Sequence, residues 1–524
     1  MKNLFIASVF LSFFLVTACK DSKHEHKEAE LAKLPTDGIA EYYDASLKPF
    51  YHGVASGDPL SDRVIIWTRV TPEDSLKSIQ VVWEVAADSS FNRLINQGNA
   101  EALPENDYTV KVDVDKLSPD QRYYYRFTAL GSTSVTGLTR TSPAGSSDSL
   151  KFAILSCSNY EFGYFNTYKA LAKRDDIHAV LHLGDYIYEY PVGTYGDTTI
   201  GRKHYPSHEI ISLEDYRLRY SQYRLDPDLR AAHKSHPFIT IWDDHEIANN
   251  SYVDGAQNHQ AEEGDYKERR EAARKAYYEW LPVRQSDQLY RHFNYGGLAE
   301  LIMLDERLAG RTAPVDSLTD PVLQDTARTM LGKQQMSWFQ SRLSDTQSQW
   351  KIIGNQVIYS YLNWGRPDFN INLDSWDGYP AEQKKISRYI RDNKIENVIF
   401  VTGDTHASWA FEVTVDPFND YNRKTGKGSF AVEFGTTSVN SGNANEMYPN
   451  DTVLMHEQYI VNSPLNPHLK YANLRDHGYL LLSVYSDHAQ AQFYYVETLR
   501  ERNANVVPGA SFSVQKGSTR LISE

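Results

Sequence analysis

Cysteine is nearly absent from this chain, which has two, Cys19 and Cys157, in 524 residues. A framework of several disulfides is therefore excluded, and the fold must rest on an ordinary hydrophobic core. Net positive charge is also lacking, because 54 Lys and Arg face 68 Asp and Glu and leave a net charge of -14 at pH 7. This balance argues against specific nucleic-acid binding, so any affinity for phosphate must come from local groups. After the N-terminus no apolar run is long enough to cross a membrane.

The first residues have the pattern of an export signal. Lys2 supplies a positive charge, and residues 4–16 form an apolar core that is too short to span a membrane. The sequence Val16-Thr17-Ala18-Cys19 that follows is typical of the cleavage site of a bacterial lipoprotein. We expect residues 1–18 to be a lipoprotein signal peptide. The alternative is an ordinary secretory signal followed by a chance cysteine.

Lipidation of Cys19 would leave the mature protein exported and lipid-anchored, at the outer membrane, in the periplasm or facing the surface. Residues 19–47, which begin with a stretch rich in Lys, Glu and His, are expected to be a flexible tether. Cys157 is then the one thiol left in the mature chain. A lone cysteine in an exported protein is either buried and inert or a metal ligand or nucleophile.

Short strand-like segments separated by turn residues occupy the next hundred residues. They are VIIWTRV, IQVVWEVAAD, YTVKVDVDKL and RYYYRFTAL. Regular spacing of such segments is typical of a β-sandwich. Leu117-Ser118-Pro119, followed by Tyr123 and Tyr125, resembles the strand entry of fibronectin type III-like domains. We therefore predict an N-terminal fibronectin type III-like β-sandwich domain at residues 48–145.

From residue 150 onward the apolar pattern switches to alternating strands and helices. Strand-like segments such as KFAIL, HAVLHL and NVIFV are separated by helical stretches, of which residues 266–280 have the clearest pattern. This alternation predicts an α/β fold, a sandwich with mixed central sheets, over residues 150–500. Residues 501–524 are expected to be a C-terminal tail.

Four short motifs rich in acidic residues and histidine directly follow apolar segments. They are SCSNY, HLGDYIYEY, IWDDHE and VTGDTH. Because ligands bind beyond the carboxyl ends of the strands in α/β sheets, we expect these side chains to meet at one edge. Carboxylates, imidazoles, a thiol and a phenol gathered in one place are suitable donors for a metal site. The motifs therefore predict metal-assisted hydrolysis.

Two of these motifs contain donors that favour a highly charged cation. Asp185 follows Gly184, which lets the backbone turn sharply, and Tyr188 returns to the same side one helical turn later. A phenol becomes a ligand at neutral pH only where a highly charged cation lowers its pKa. Together with a thiolate from Cys157, it favours iron or another transition ion over magnesium. The simpler alternatives are capping of a strand end by Asp185 and plain packing of Tyr188.

The other two motifs crowd further carboxylates at strand ends. Asp243 and Asp244 would repel each other unless cations neutralise them. Asp404 and His406 need a tight turn to reach a common site. In an extended segment, residues two positions apart would be separated by about 7 Å along the chain. The structural alternatives are capping by Asp404 and a solvated acidic loop at IWDDHE.

Taken together, the motifs resemble those of a known enzyme family. The order SCSNY, HLGDYIYEY, WDDHE, LDER, GNQ, WDGY and VTGDTH is similar to the PhoD-like (alkaline phosphatase D) branch of the metallophosphoesterases. The resemblance covers residues 51–498. It implies a metallophosphatase α/β sandwich, the cofactors Fe3+ and Ca2+, and hydrolysis of phosphomonoesters or phosphodiesters by a metal-activated hydroxide. For an exported protein, this chemistry indicates phosphate scavenging outside the cytoplasm.

The resemblance also implies roles for individual residues. The Fe3+ ligands would be Cys157, Asp185, Tyr188 and His406. Asp185 would bridge to Ca2+, which anionic oxygens of Asp244 and Asp404 would suit. Asp243 would be a further ligand or lie just behind the ligands. His245 would stand near the leaving group, as a general acid or as an electrostatic contact to the leaving alkoxide.

Contacts to the phosphate group are expected from Asn159, which follows the cysteine in SCSNY, and from Arg217, Arg219 and Arg307. For each arginine the alternative is a salt bridge to a carboxylate of the protein. Two other functions stay open at this point. One is a phospholipase D-like phosphodiesterase, and the other is a non-catalytic surface lipoprotein that binds polysaccharide. The oligomeric state is not predicted.

Overall fold

The structure is a computed structural model that describes residues 38–367 and 369–524. The predicted signal peptide, Cys19 and the tether up to residue 37 lie outside the described residues. The α-helices of the described part are α1 (Asn166–Ala172), α2 (Leu213–Leu225), α3 (Pro227–Ser235), α4 (Tyr266–Trp280), α5 (Gly332–Asp345), α6 (Pro380–Asp392) and α7 (Asn450–Asn462). Across residues 38–367 and 369–524, none of the helices combines the length and the apolar character that a membrane crossing requires.

Short 3₁₀ helices connect many of the elements. They lie at Ala40–Tyr42, Ala45–Leu47, Pro104–Asn106, Tyr160–Phe162, Thr198–Ile200, Ala261–Glu263, Pro321–Gln324, Trp376–Gly378 and Ala444–Glu446. The strands of the N-terminal part are β1 (Val54–Gly57), β2 (Val64–Arg69), β3 (Ile79–Ala86), β4 (Leu94–Ala102), β5 (Thr109–Val114), β6 (Arg122–Ala129), β7 (Ser132–Thr133) and β8 (Gly137–Arg140).

The remaining strands build the larger C-terminal part. They are β9 (Ser149–Leu155), β10 (Ala179–His182), β11 (Pro237–Thr240), β12 (Arg291–Tyr295), β13 (Ala299–Met303), β14 (Trp350–Asn355), β15 (Val398–Thr402), β16 (Ser408–Thr414), β17 (Ser429–Gly435), β18 (Leu469–Asn473), β19 (Gly478–Tyr485), β20 (His488–Val496), β21 (Val506–Gln515) and β22 (Leu521–Ser523).

Two large mixed sheets form the centre of the molecule, as the sequence predicts. One has the strand order β22-β21-β20-β19-β9-β10-β11-β1-β2-β5, and the other has the order β12-β13-β14-β15-β17-β16-β18. In the first, β9, β10 and β11 run parallel, whereas β19 is antiparallel to β9. In the second, β13, β14, β15 and β17 run parallel. The apolar runs at β10 and β15 fit such central positions, because both faces of these strands are buried.

The two sheets pack against each other over a shared hydrophobic core. Leu181 of the first sheet and Ile352 of the second belong to this core, together with side chains of α1, α2, α3 and α4. On the other face of the second sheet, Phe400 packs with residues of α5 and α6, including Phe339 and Ile386. The arrangement is an α/β sandwich with helices on the outside.

The N-terminal part is a β-sandwich, but one of its sheets does not stop at the domain boundary. Strands β1, β2 and β5 face a smaller sheet of order β4-β3-β6-β7, in which β8 also pairs with β6. A separate core fills the space between them, with Val64 and Ile66 on one side and Val81 and Tyr125 on the other. However, β1 also pairs in parallel with β11 of the ten-stranded sheet. The predicted domains 48–145 and 150–500 therefore share a continuous sheet.

The prediction that residues 501–524 form a tail is wrong. Strand β21 pairs with β20, and β22 pairs with β21, so this segment forms the edge of the ten-stranded sheet. Phe512 and Val514 alternate with polar residues and are buried, which supplies the apolar face that holds the segment in place. The predicted tether also ends early, because residues 40–47 form two 3₁₀ helices and Ile39 is buried.

Candidate metal centre

The four motifs meet where strands of both central sheets end. Cys157 follows β9, Asp185 follows β10 and Asp243 follows β11, and these three parallel strands are neighbours. Asp404 follows β15 of the opposing sheet. The motif side chains are therefore delivered from both sheets to a common crevice at the carboxyl ends of the strands.

Tight turns aim these side chains inward. Cys157, Asp185, Asp404 and His406 have φ angles of 62°, 54°, 64° and 55°, a left-handed conformation that is uncommon for residues other than glycine. Such strained positions cluster at functional sites, where the surrounding structure holds them. Gly184 has a φ of 104°, and a Cβ atom there would lie 2.3 Å from Cβ of Asp243, so glycine permits the loops after β10 and β11 to touch.

Donor atoms of different chemistry converge in a first group. One ligand atom each from Cys157, Asp185 and His406 lies within 4.8 Å of the others. Oδ2 of Asp185 is 3.4 Å from Sγ of Cys157 and 3.2 Å from the hydroxyl of Tyr188. That hydroxyl is 3.1 Å from Nε2 of His406. The structure thus brings the four predicted iron ligands together, and a thiol, a phenol, an imidazole and a carboxyl group suit a transition ion.

A second group shares one member with the first. Ligand atoms of Asp185, Asp244 and His245 also lie within 4.8 Å of one another. Oδ1 of Asp185 accepts a hydrogen bond from the backbone N–H of His245 at 3.3 Å, while Oδ2 faces the first group. The carboxyl group of Asp185 therefore stands between two donor groups, the position of a bridging ligand.

Several acidic groups lie close together at this centre, and hydrogen bonds do not satisfy all of their oxygen atoms. Burial raises the pKa of Asp185 well above its usual range and raises the pKa of Asp243 to about 8 and that of Asp404 to about 7. Oδ2 of Asp243 is buried and has no hydrogen-bond partner among the described residues. Bound cations would neutralise these groups and could provide a partner for Oδ2 of Asp243, so the residues present fit a metal centre.

Arg307 is the predicted phosphate contact that the structure places at this centre. Its Nε donates to Oδ1 of Asp243 at 2.5 Å, and its Nη2 lies 3.6 Å from Oδ1 of Asp244. Although burial opposes the charge of Asp244, the Arg307 guanidinium lowers the pKa of that carboxyl group to about 2. Nη1 of Arg307 donates to Asp374 at 2.7 Å, and Asp374 also pairs with Arg311. Sequence reasoning missed Asp374, which stands two residues before the conspicuous WDGY segment.

His245 is held from behind by a residue that sequence reasoning also missed. Its Nδ1 lies 2.6 Å from Oε2 of Glu189, and its ring packs on Tyr188 with 4.3 Å between the ring centroids. Glu189 also accepts hydrogen bonds from Asn249 and Asn258, which fix its orientation. Burial opposes the charge of His245, but the Glu189 carboxylate raises the pKa of the imidazole well above its usual range. Glu189 lies inside the motif HLGDYIYEY, so the signal was present.

The tautomer of His406 is set by the backbone. Its Nδ1 lies 2.9 Å from the carbonyl oxygen of Gly442, which only accepts, so Nδ1 must carry the proton. Burial also lowers the pKa of His406 to about 4. The neutral ring then turns an unprotonated Nε2 toward Tyr188, as a metal ligand requires. Ser441 donates to the Tyr188 hydroxyl at 2.7 Å, a contact that no sequence motif indicated.

Three of the predicted phosphate contacts, Arg217, Arg219 and Asn159, are wrong, because their polar groups form hydrogen bonds or ion pairs within the protein. Arg217 forms a double contact with Glu279 of α4, with both distances at 2.7 Å. Arg219 is fully buried and donates to backbone carbonyl oxygens of Tyr190, Tyr205 and Pro206.

Asn159 caps the 3₁₀ helix Tyr160–Phe162. Its Oδ1 accepts from the N–H of Glu161 at 3.0 Å, and its Nδ2 donates to the carbonyl oxygen of Tyr195 at 2.9 Å. The local reason is the turn after β9, where an asparagine side chain commonly satisfies a free backbone N–H. Asn159 therefore supports the loop that carries Cys157 rather than facing the centre.

Known proteins share both the sequence pattern and the fold. The family description "PhoD-like phosphatase" matches residues 152–493, and "PhoD-like phosphatase, N-terminal domain" matches residues 39–143. Alkaline phosphatase D of Bacillus subtilis (strain 168) is 37% identical over 500 residues, which are 90% of this chain and 82% of that protein. A solved structure, "Structure of PhoD", superposes with a TM-score of 0.81 at 36% identity and covers 92% of this chain and 93% of that one.

These similarities extend over both parts of the molecule and confirm the resemblance predicted from the motifs. They also confirm the predicted fold class, an α/β fold with an N-terminal β domain. The similar protein whose activity is named is a phosphoric ester hydrolase, and this chain is its homologue. The chain belongs to the family of PhoD-like phosphatases.

Proposed function

We propose that the protein hydrolyses phosphate esters at a dinuclear metal centre. The observation that carries the proposal is the carboxyl group of Asp185, which stands between two groups of donor atoms. Two cations held a few ångströms apart by one shared carboxylate form the arrangement with which many phosphoesterases clamp an in-line displacement. The homology to alkaline phosphatase D supports the same reaction class.

We assign Fe3+ to the first group and Ca2+ to the second. Cys157, Tyr188 and His406 with Asp185 would hold the iron, because thiolate and phenolate stabilise a trivalent transition ion. Asp185 and Asp244, together with Asp404 from the end of β15, offer the carboxylate oxygens that calcium prefers. When bound, such cations lower the pKa of water and stabilise negative charge on the phosphoryl oxygens.

The residues around the cations would then donate a proton to the leaving group and neutralise negative charge. His245, with Nδ1 fixed by Glu189, would donate a proton from Nε2 to the leaving alkoxide. Arg307 holds Asp243 and neutralises part of the charge at Asp244, so that the anionic ester meets less repulsion. Asp374 keeps the guanidinium of Arg307 in place.

Elemental analysis and absorption spectra test the iron assignment. We expect purified protein to contain iron and to show a visible charge-transfer band from thiolate or phenolate ligands. The Cys157→Ser variant should lose or shift this band, whereas Cys19→Ala, the matched change at the other cysteine, should keep it. Colourless wild-type protein that hydrolyses esters without iron would contradict the assignment.

A substrate panel tests the reaction itself. Protein loaded with iron and calcium should hydrolyse p-nitrophenyl phosphate, bis(p-nitrophenyl) phosphate, or both, and should lose the activity when chelator removes the ions. Metal-replete protein without turnover on any mono- or diester would refute the proposed function.

We further propose that this hydrolysis takes place outside the cytoplasm, on a protein anchored through lipidated Cys19, as part of phosphate scavenging. The support is the sequence Val16-Thr17-Ala18-Cys19 after a short apolar segment. Metabolic labelling with a radioactive fatty acid should mark the wild-type protein and not the Cys19→Ala variant. Equal labelling of both would remove the anchor from the proposal.

A further inference from the structure

A cavity of about 420 Å³ lies beside the metal centre and is distinct from it in character. Most of its described lining is apolar or aromatic, with side chains of Trp364, Phe369, Ala407, Met447, Val453 and Leu474. The donor groups of the centre, in contrast, are carboxyl, thiol, phenol and imidazole groups. Cavities of this size and character hold small organic groups.

The walls of the cavity are anchored to the fold. Trp364 packs edge-on against Trp409 of β16 with ring centroids 5.3 Å apart, and its backbone N–H donates to the carbonyl oxygen of Asn370 at 2.8 Å. Gly365 of this loop lies so close to α7 that a Cβ atom there would be 2.6 Å from the Tyr459 ring. Helix α7 supplies another part of the wall, and its buried Glu457 accepts a hydrogen bond from the backbone N–H of Leu474. The cavity is therefore part of the folded structure.

The cavity and the centre share His406. Nε2 of this ring faces the Tyr188 hydroxyl of the centre, while Nδ1 bonds to Gly442, which lines the cavity. Cys157 and Asp185 are buried, whereas the segment from Asp404 to His406 is partly exposed. Thr405 and His406 of this partly exposed segment also line the cavity, so the cavity adjoins the exposed side of these centre residues.

Exposed apolar side chains lie on the segments that form the cavity. Phe369, Met447, Met455 and Tyr459 are 42%, 71%, 69% and 53% exposed. Phe369 and Met447 line the cavity, and Met455 and Tyr459 belong to α7, the helix that supplies other lining residues. Arg366 lines the same cavity, with its guanidinium 5.8 Å from the centre of the Tyr448 ring, and places a positive charge next to the apolar wall.

We propose that this cavity binds the organic group of the phosphoester substrate, and that this group has an aromatic or alkyl surface. The inference rests on the proposed phosphoester hydrolysis, since it places the phosphate at the metal centre and the alcohol part of the ester beyond His406. An apolar cavity that adjoins the reacting centre selects for apolar groups, because a polar group there would lose water without gaining hydrogen bonds.

Filling the cavity tests the proposal. Thr452 lies in the first turn of α7, lines the cavity and is exposed, so that a tryptophan there can enter the cavity without displacing the core. With Thr452→Trp, we expect kcat/KM for 2-naphthyl phosphate to fall about 10-fold more than kcat/KM for glycerol 2-phosphate. For each ester, kcat/KM of the variant is divided by kcat/KM of the wild type, so that the different reactivity of the two leaving groups cancels.

Two further variants secure the result. Leu454→Trp changes a 39% exposed residue on the same helix that lies outside the cavity lining, and it should leave both rates unchanged. Phe369→Ser removes an exposed ring from the mouth, so that it opens no core, and should lower the preference for the naphthyl ester in the same direction as Thr452→Trp.

The outcomes distinguish a failure of the subsite from a failure of the proposed function. Losses of equal size on both esters, or no loss on either, would overturn the cavity as a subsite while leaving the hydrolase function intact. Wild-type protein that turns over neither ester after metal loading would overturn the proposed function, and this inference with it. A selective loss with both Thr452→Trp and Phe369→Ser supports the subsite.

Discussion

Asp185→Asn should lower kcat for phosphoester hydrolysis by roughly 1000-fold. The change weakens the binding of the two cations that would stabilise negative charge in the transition state. The carboxyl group faces Cys157 and Tyr188 with one oxygen and the backbone of His245 with the other. An amide keeps the size of the side chain but removes the negative charge that two cations would share. Steady-state kinetics and the metal content of the purified variant measure the effect, and we expect the second cation to be lost along with the activity.

Asp176→Asn is the matched control for this change. Asp176 pairs with Lys151 and Arg174 at the far end of β9, away from the carboxyl ends of the strands. Its replacement should leave kcat and the metal content unchanged. Activity within 10-fold of wild type in Asp185→Asn, with both metals retained, would show that the shared carboxylate does not hold the two cations together.

His245→Gln should lower kcat by roughly 100-fold for esters of alkyl alcohols, the range typical of a lost general acid. The loss should be much smaller for p-nitrophenyl phosphate, because p-nitrophenolate leaves without being protonated. Glu189→Gln should follow the same dependence on the leaving group at about 10-fold, since it weakens the orientation of the imidazole rather than removing it. Measuring kcat across esters whose alcohols differ in pKa separates protonation of the leaving group from a general loss of structure.

His208→Gln provides the comparison for the His245 change. His208 is exposed at the surface and pairs with Asp215 at the start of α2. This variant should behave as wild type on all esters. A loss in His245→Gln that is the same for alkyl and p-nitrophenyl esters would argue for a role in binding the phosphate and against proton donation.

The metal-centre residues could be predicted because they lie next to strong local signals. Cys157, Asp185, Asp243 and Asp404 each follow an apolar run, and the strands of an α/β sheet deliver such positions to a common edge. The phosphate contacts could not be predicted in this way. The long side chain of an arginine can reach carboxylates that are distant in the sequence. Arg217, for example, pairs with Glu279, 62 residues further along the chain.

The fold shows the same division between local and distant information. The strand pattern of the N-terminal part predicts a β-sandwich correctly, since alternating residues and turns are local features. The pairing of β1 with β11 joins Ser56 to Pro237 and depends on how the two parts of the chain meet. In the segment 506–523, Pro508 and Gly509 are locally unfavourable for a strand, and the segment becomes one through its pairing with β20, a distant contact that local signals do not contain.

The shared sheet also bears on how the molecule holds together when it begins to unfold. Strand β11 lies between β10 and β1, and its last residue is three positions before Asp243. Without the N-terminal strands, β11 would present a row of unpaired backbone groups, and such an open edge invites association with other chains. The N-terminal sandwich therefore covers that edge through β1. The loop that carries the acidic motif is thus held in place by a part of the chain nearly two hundred residues away. We expect both parts to melt as one cooperative unit.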